Sequence, residues 1–252
     1  MKLFKKVIFP FSVVLGLFII GPEIKDPKID IPLPKINFNL LELKEWIDNR
    51  EAAIDNLKPD NASRLIYFDS IPRKTAFSVL YLHGFSASSS EGSPVHLNIA
   101  NEIKANIYLP RLAGHGLIER EPLLDFTADK YLESAREALA IAKTIGEKVI
   151  IISSSSGGLL SLLLGNDPQI AALLLFGPNI ELNNPAAKLL TLPWGLQIAR
   201  LYSGSKYHVM NKITEKKKNY WTTKYRLESI IHLQKLIDAS MRTDTFKKVI
   251  VP

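Results

Sequence analysis

The feature that most constrains this chain is an apolar run that leads directly into a serine–glycine turn and a second apolar run. Residues 148–152 resemble a buried strand, residues 153–158 read SSSSGG, and residues 157–164 resemble an apolar helix. Small residues at each crowded position are typical of a strand–tight turn–helix unit, in which one side chain is lifted above the edge of a sheet in a strained conformation. The sequence therefore predicts a nucleophile elbow here.

The elbow motif can be placed on this turn in two frames: the lifted side chain is Ser155 in one frame and Ser156 in the other. We favour Ser155, because that frame starts directly from the strand and leaves a second glycine after Gly157. Serine at position 153 replaces the glycine that is usual there, which makes the motif less specific. A serine-rich phosphate-binding turn is the rival interpretation, but the GxxxxGK[ST] pattern and its lysine are missing. A plain serine-rich loop is the simplest alternative.

Apolar strands and helical stripes alternate along the rest of the chain. Continuous apolar strands between helices predict an α/β fold with a mainly parallel sheet and helices on both faces. The 252 residues suffice for one large domain, and 46% hydrophobic with 23% charged residues exclude wholesale disorder. The strand-like runs are residues 64–68, 77–82, 106–109, 148–152 and 170–176, and the helical stripes are residues 94–104, 130–144 and 157–164.

Cysteine is absent, which excludes disulfides, thiolate metal sites and a cysteine nucleophile. The histidines lack the close spacing of a zinc site, so neither a metal nor an organic cofactor is predicted. They are His83, His96, His115, His208 and His232.

A second element favours acyl chemistry at the turn. The strand at residues 77–82 ends in His83-Gly84-Phe85, and a nucleophilic serine needs backbone N–H groups aimed at the developing oxyanion. The N–H groups of Phe85 and Ser156 are the predicted pair. His83 is expected to pack or hydrogen-bond the loop rather than act as a base.

In their order along the chain, these motifs resemble the α/β-hydrolase superfamily. The sequence contains YLHGF at residues 81–85, LPRLAGHG at residues 109–116 and the serine elbow, and the resemblance covers about residues 64–252. It is closest to the monoacylglycerol lipase and serine aminopeptidase-like branch. The resemblance implies a Ser-His-Asp mechanism on esters or similar acyl compounds, and His115 matches a loop histidine that shapes the site entrance.

In this superfamily the acid and the histidine follow the serine, at the ends of later strands. Here residues 246–252 resemble the approach to the strand that precedes the acid, so the fold is expected to be C-terminally incomplete. Three explanations are open: a truncated sequence, which we favour, a pseudoenzyme, or a base recruited from within the chain. His208 and His232 follow Ser155 but fall in an insertion and its closing helix, which argues against recruitment.

The predicted organisation has three parts. Residues 1–21, with Lys2, Lys5 and Lys6 before an uncharged run, predict an uncleaved signal-anchor that places the protein on the exported side of a membrane; a cleaved signal peptide, giving a secreted or periplasmic protein, is the alternative. Residues 22–60 predict a proline-rich tether and a short helix capped by Asn39. Residues 61–252 form the hydrolase domain, with a cap at about residues 183–225.

The net charge of +7 is concentrated in residues 204–250, where eleven lysines and arginines face four acidic residues. No nucleic-acid motif accompanies this charge, so a solvated helical face is favoured and a nucleic-acid partner is not predicted. Together the motifs predict a membrane-anchored serine hydrolase of small carboxylic esters that acts through an acyl-enzyme at Ser155. The alternative is a catalytically silent protein with the same fold, which binds without a base.

Overall fold

Over the residues that the structure describes, the N-terminal helix falls short of the length that a membrane span needs. The structure, a computed structural model, describes residues 9–182, 185–211, 213–242 and 244–251. Helix α1, Phe9–Ile19, has 11 residues and therefore spans about 16 Å of a hydrocarbon core about 30 Å thick. In these ranges no helix is long and apolar enough to serve as a transmembrane span. The predicted signal-anchor, transmembrane helix and membrane-anchored location are therefore wrong; Lys2, Lys5 and Lys6 lie outside the described residues.

The proline-rich segment runs along the domain rather than away from it. Lys28 N–H donates to Asp129 Oδ1 at 2.9 Å, and Leu33 and Ile36 pack against the main core. Helix α2, Leu40–Ala52, begins at Asn39, whose side chain accepts the backbone N–H of Glu42. This confirms the predicted N-cap. Apolar contacts of the prolyl segment and α2 with the core thus tie residues 22–52 to the domain.

Five strands form the central sheet, as their apolar runs predicted. The order is β1-β3-β2-β4-β5, with β1 antiparallel to β3 and all other neighbours parallel. This confirms the α/β fold with a mainly parallel sheet. The strands are β1, Arg64–Ile66; β2, Thr75–Leu82; β3, Asn106–Leu109; β4, Gly146–Ser154; and β5, Ile170–Phe176.

Helices cover both faces of this sheet. Helix α3, Val95–Glu102, contributes Ala100 to a small apolar cluster on one face. Helices α4, Ala128–Ile145, and α5, Ser156–Leu164, pack in the larger cluster on the other face. Because alternate residues of a strand point to opposite faces, Val79 and Tyr81 of β2 join the first cluster whereas Leu80 and Leu82 join the second.

The chain after β5 leaves the central sheet over the residues where the sequence predicts a cap, and we call this segment, residues 185–226, the cap. Its two strands pair antiparallel with each other and stay separate from the central sheet. The cap elements are a 3₁₀ helix, Pro185–Thr191; α6, Gly195–Ser203; β6, Tyr207–Val209; α7, Glu215–Tyr220; and β7, Lys224–Arg226.

Helix α8, Leu227–Arg242, returns the chain to the core, where Leu233, Leu236 and Ile237 are buried. The following residues form the short helix α9, Thr245–Lys248, where the sequence suggested the approach to a strand. Ile250 N–H then donates to Gly165 O at 3.2 Å, which holds this segment against the end of α5.

Candidate active site

The sharp turn between β4 and α5 falls on Ser155. Its backbone has φ 52° and ψ −118°, a combination that costs energy in any residue with a side chain. Ser155 N–H donates to Phe176 O at 3.0 Å and Asn179 N–H donates to Ser155 O at 2.8 Å, so the end of β5 holds the strained turn. The strained residue between strand and helix is therefore Ser155, as in the frame that the sequence favours.

Ser156, the other candidate, is the first residue of α5 and is fully buried. Its hydroxyl is 2.9 Å from the hydroxyl of Tyr131, inside the core. The Ser156 hydroxyl therefore has a hydrogen-bond partner in the core. Its backbone N–H, in contrast, lies in the first turn of α5, where an N–H group has no acceptor within the helix.

Close packing explains the small residues around the turn. A Cβ on Gly158 would lie 2.7 Å from the Cβ of Pro178, which leaves no room for a side chain. Ser153 is fully buried, and its hydroxyl has no hydrogen-bond partner among the described residues. A serine in place of the usual glycine is therefore accommodated here, but with an unsatisfied oxygen.

The loop after β2 touches the turn. A Cβ on Gly84 would lie 3.2 Å from the Cβ of Ser155, so these two segments are in contact at the site. Gly84 N–H donates to Glu91 Oε2 at 2.7 Å, and Ser86 N–H donates to His115 Nε2 at 2.9 Å. Within the described part of the chain, no acceptor bonds the N–H of Phe85, which lies between them.

The N–H of Ser156 is also without an acceptor in the described ranges. The two predicted oxyanion donors are therefore free, and each belongs to one of the two segments that meet at Ser155. Such an arrangement can bind a developing negative charge. The roles of Phe85 and Ser156 as oxyanion donors stay predictions.

His83 and His115 hold loops in place. His83 Nε2 accepts Leu112 N–H at 3.2 Å while Nδ1 faces Gly84 O at 2.9 Å, and His115 Nδ1 faces Ala113 O at 2.8 Å. Burial lowers the pKa of His83 to about 3 and that of His115 to about 4. Both rings are therefore neutral at pH 7 with both nitrogens engaged, which suits a loop-shaping role and not a general base.

The cap covers the loop that carries Phe85. The Phe85 ring meets the rings of Phe126 and Tyr225 edge to face, with centroids 5.2 Å apart in both pairs. Thr222 N–H donates to Ser86 O at 2.7 Å. Tyr225 lies in β7 and Thr222 just before it, so the cap contacts the loop that carries the Phe85 N–H.

Neither of the two later histidines hydrogen-bonds Ser155 in the part of the chain that the structure describes. The His208 ring packs against Tyr225 at 5.1 Å, and His232 lies on α8. In the described ranges, no histidine or carboxylate hydrogen-bonds Ser155 Oγ, and no group of three histidine or acidic side chains could hold a metal ion. The chain's described residues therefore supply a turn and two donors.

Glu91 is the site residue that sequence reasoning missed. It lies in the 3₁₀ helix Ser89–Gly92 and its carboxylate reaches both the loop after β2 and Ser154, with which it lines a cavity of about 260 Å³. A single acidic residue in a serine-rich run carries no local signal, and Glu91 comes near Ser154 only because β2 and β4 lie side by side.

Comparisons with known proteins agree with this geometry. A family model described as the alpha/beta hydrolase family matches residues 79–226, which is more than half of the chain. The chain therefore belongs to the alpha/beta hydrolase family. The match begins within β2 and ends with β7, so it includes the loop after β2, the serine turn and the cap.

Solved structures show the same fold. A structure from LipS and LipT, two metagenome-derived lipolytic enzymes, is 16% identical with a TM-score of 0.62, and the match covers 78% of this chain and 75% of the other. The monoacylglycerol lipase of Paleococcus ferrophilus is 10% identical with a TM-score of 0.50, covering 75% and 74%. A search of curated proteins gives no match.

Proposed function

We propose that this chain is a serine hydrolase of small carboxylic esters, with Ser155 as the nucleophile. The observation that carries the proposal is the strained turn at Ser155, which contacts the loop after β2 at Gly84. The residue after each of these two, Ser156 and Phe85, has an N–H group without an acceptor among the described residues. Membership of the alpha/beta hydrolase family and the likeness to lipolytic folds support the same class.

In this mechanism Ser155 Oγ bonds to the ester carbonyl carbon while its proton passes to a general base, which the family resemblance implies to be a histidine. The described residues place no such group within hydrogen-bond distance of Ser155 Oγ, so this step requires a base beyond them. The N–H groups of Phe85 and Ser156 stabilise the oxyanion of the tetrahedral intermediate. The bond to the alcohol oxygen then breaks, the alcohol leaves with the proton, and water releases the acid from Ser155.

A second candidate is a catalytically silent protein that keeps the fold and binds an acyl compound or another small molecule. It is favoured by one observation: among described residues, no histidine or carboxylate hydrogen-bonds Ser155 Oγ. Without a base the hydroxyl remains a weak nucleophile.

Labelling with a fluorophosphonate distinguishes the two candidates. We expect the wild-type chain to be labelled, Ser155→Ala to be unlabelled, and Ser156→Ala to retain labelling, because the Ser156 hydroxyl contacts Tyr131 and its backbone N–H is unchanged. Labelling that persists in Ser155→Ala but disappears in Ser156→Ala would contradict the assignment of the nucleophile. A correctly folded wild-type chain that stays unlabelled would favour the silent protein.

A further inference from the structure

Glu91 places a carboxylate where the two segments of the candidate site meet. Oε2 accepts the N–H of Gly84 at 2.7 Å and lies 3.4 Å from the hydroxyl of Tyr81. A Cβ on Gly84 would lie 3.0 Å from Glu91 Oε1 and 3.2 Å from the Ser155 Cβ. The carboxylate and the proposed nucleophile therefore approach Gly84 from the same side.

The environment of Glu91 is unusual for a glutamate. Burial raises its pKa, whereas its hydrogen bonds to Gly84 N–H and Tyr81 and the positive charge of Lys217 favour the ionised form. A partly buried carboxyl group costs desolvation energy, and such groups are retained where their hydrogen bonds hold something in place. The proposed reaction uses no part of Glu91, so its position needs another explanation.

The backbone that carries the Phe85 N–H is pinned on both sides. Gly84 N–H is held by Glu91, and Ser86 N–H is held by His115. The intervening peptide carries the one N–H of this stretch that lacks an acceptor among the described residues. The carbonyl of that peptide, Gly84 O, accepts Ala87 N–H at 3.2 Å and faces His83 Nδ1 at 2.9 Å. Glycine has the widest backbone freedom of any residue, so the Glu91 contact on the N–H side of Gly84 completes the set of contacts that fix its backbone angles.

We propose that Glu91 is a positioning residue of the oxyanion site, which holds the Gly84 N–H and thereby fixes the direction of the Phe85 N–H relative to Ser155. This inference rests on the proposed function. Only an acceptor is needed at this place, because the partner is a backbone N–H. The carboxylate acts through Gly84 and takes no part in the bonds that form or break.

The test compares Glu91→Ala, Glu91→Gln and the wild-type chain in fluorophosphonate labelling. Removal of one donor from an oxyanion hole costs roughly 10²–10³ in rate. If the Phe85 N–H points in a different direction in Glu91→Ala, we expect the maximal labelling rate to fall by about 10-fold or more. The concentration of probe for half-maximal rate should change less than about twofold, since the loss falls on the transition state. Glu91→Gln should recover most of the rate, because its amide oxygen accepts the same N–H.

Glu102→Ala is the matched control, since Glu102 is an exposed carboxylate at the end of α3. Hydrogen exchange of the Gly84 amide, measured by NMR on the same proteins, reports the anchor independently of any reaction. We expect exchange to accelerate in Glu91→Ala only.

The outcomes separate this inference from the proposed function. If Glu91→Ala is labelled like the wild type, or if its Gly84 amide exchanges at the wild-type rate, the positioning role is overturned while the reaction at Ser155 stands. If the wild type is unlabelled although Gly84 exchange accelerates in Glu91→Ala, the anchor is supported and the proposed function alone fails.

Discussion

Gly157 lies directly against the carbonyl oxygen of Leu82: a Cβ at residue 157 would be 2.1 Å from that oxygen. The first turn of α5 therefore presses on the end of β2, with no space for a side chain between them. This contact brings the start of α5 close to the loop that follows β2. The same two segments also approach each other at Gly84, where an added Cβ would lie 3.2 Å from the Ser155 Cβ.

Alanine at this glycine should disrupt both stability and the site. The Cβ of Gly157→Ala would also lie 2.8 Å from His83 O, so backbone must shift, and we expect a loss of about 1–3 kcal/mol in the free energy of unfolding. Fluorophosphonate labelling should fall with it. Urea unfolding measures the loss, and Gly16→Ala, where nothing lies within 4 Å of the added Cβ, is the control. Equal stability of the two variants would contradict this prediction.

Acid should destabilise the protein through its buried histidines. The pKa of His115 is lowered to about 4, so below about pH 6.5 the unfolded chain binds a proton that the folded chain does not. His115 alone should then lower the free energy of unfolding by about 2 kcal/mol between pH 7.5 and pH 5, with full stability regained above about pH 6.5. His83, with its pKa lowered to about 3, should contribute a similar amount.

The measurement is urea unfolding at pH 5, 6 and 7.5 for the wild type and for His115→Gln. Glutamine does not titrate in this range, so the variant should show about half of the fall in the free energy of unfolding that the two histidines together cause. A pH dependence identical to that of the wild type would show that folding does not lower the pKa of His115.

A buried ion pair should tie α2 to the loop that contains His115. Glu51 Oε2 accepts from Arg111 Nε at 2.8 Å, and the two side chains are 5% and 14% exposed. Removing one partner of a buried pair leaves an uncompensated charge, so Glu51→Ala should cost about 3–5 kcal/mol. Asp48→Ala breaks the exposed pair with Lys44 on the same helix and should cost less than about 1 kcal/mol. Chemical unfolding of both variants tests the contrast, and similar losses would refute it.

The hydroxyl pair of Tyr131 and Ser156 should matter for stability and little for reactivity. Tyr131→Phe removes one buried hydroxyl, and we expect a loss of about 1 kcal/mol with Ser155 still labelled. Tyr202→Phe, on a side chain that is 94% exposed, should leave stability unchanged. Loss of labelling in Tyr131→Phe at unchanged stability would indicate that this hydroxyl acts on the reaction instead.

Features set by neighbouring residues were predictable from the sequence. The apolar runs identified the strands, and Asn39 identified the start of α2, because hydrophobic periodicity and capping depend on residues close in the chain. The serine–glycine run likewise indicated a tight turn. The same local reasoning gave the wrong result at the N-terminus, where an apolar run of 15 residues suggested a membrane anchor, whereas no helix of the described residues is long and apolar enough to cross a membrane.

The sequence by itself determined the α/β class, the order of its elements and the place of the serine turn. Tertiary structure alone decided that Glu91 holds Gly84, that His83 and His115 are neutral supports of the loops, and that the cap rests on Phe85. The contacts of His83 with Leu112, of His115 with Ser86 and of Phe85 with Tyr225 join residues far apart in the chain, and they arise only when the strands bring their carboxyl ends to one edge of the sheet. Glu91 and Gly84 are seven residues apart, but their contact depends on how the loop after β2 folds back on itself, which no periodic pattern of residues records.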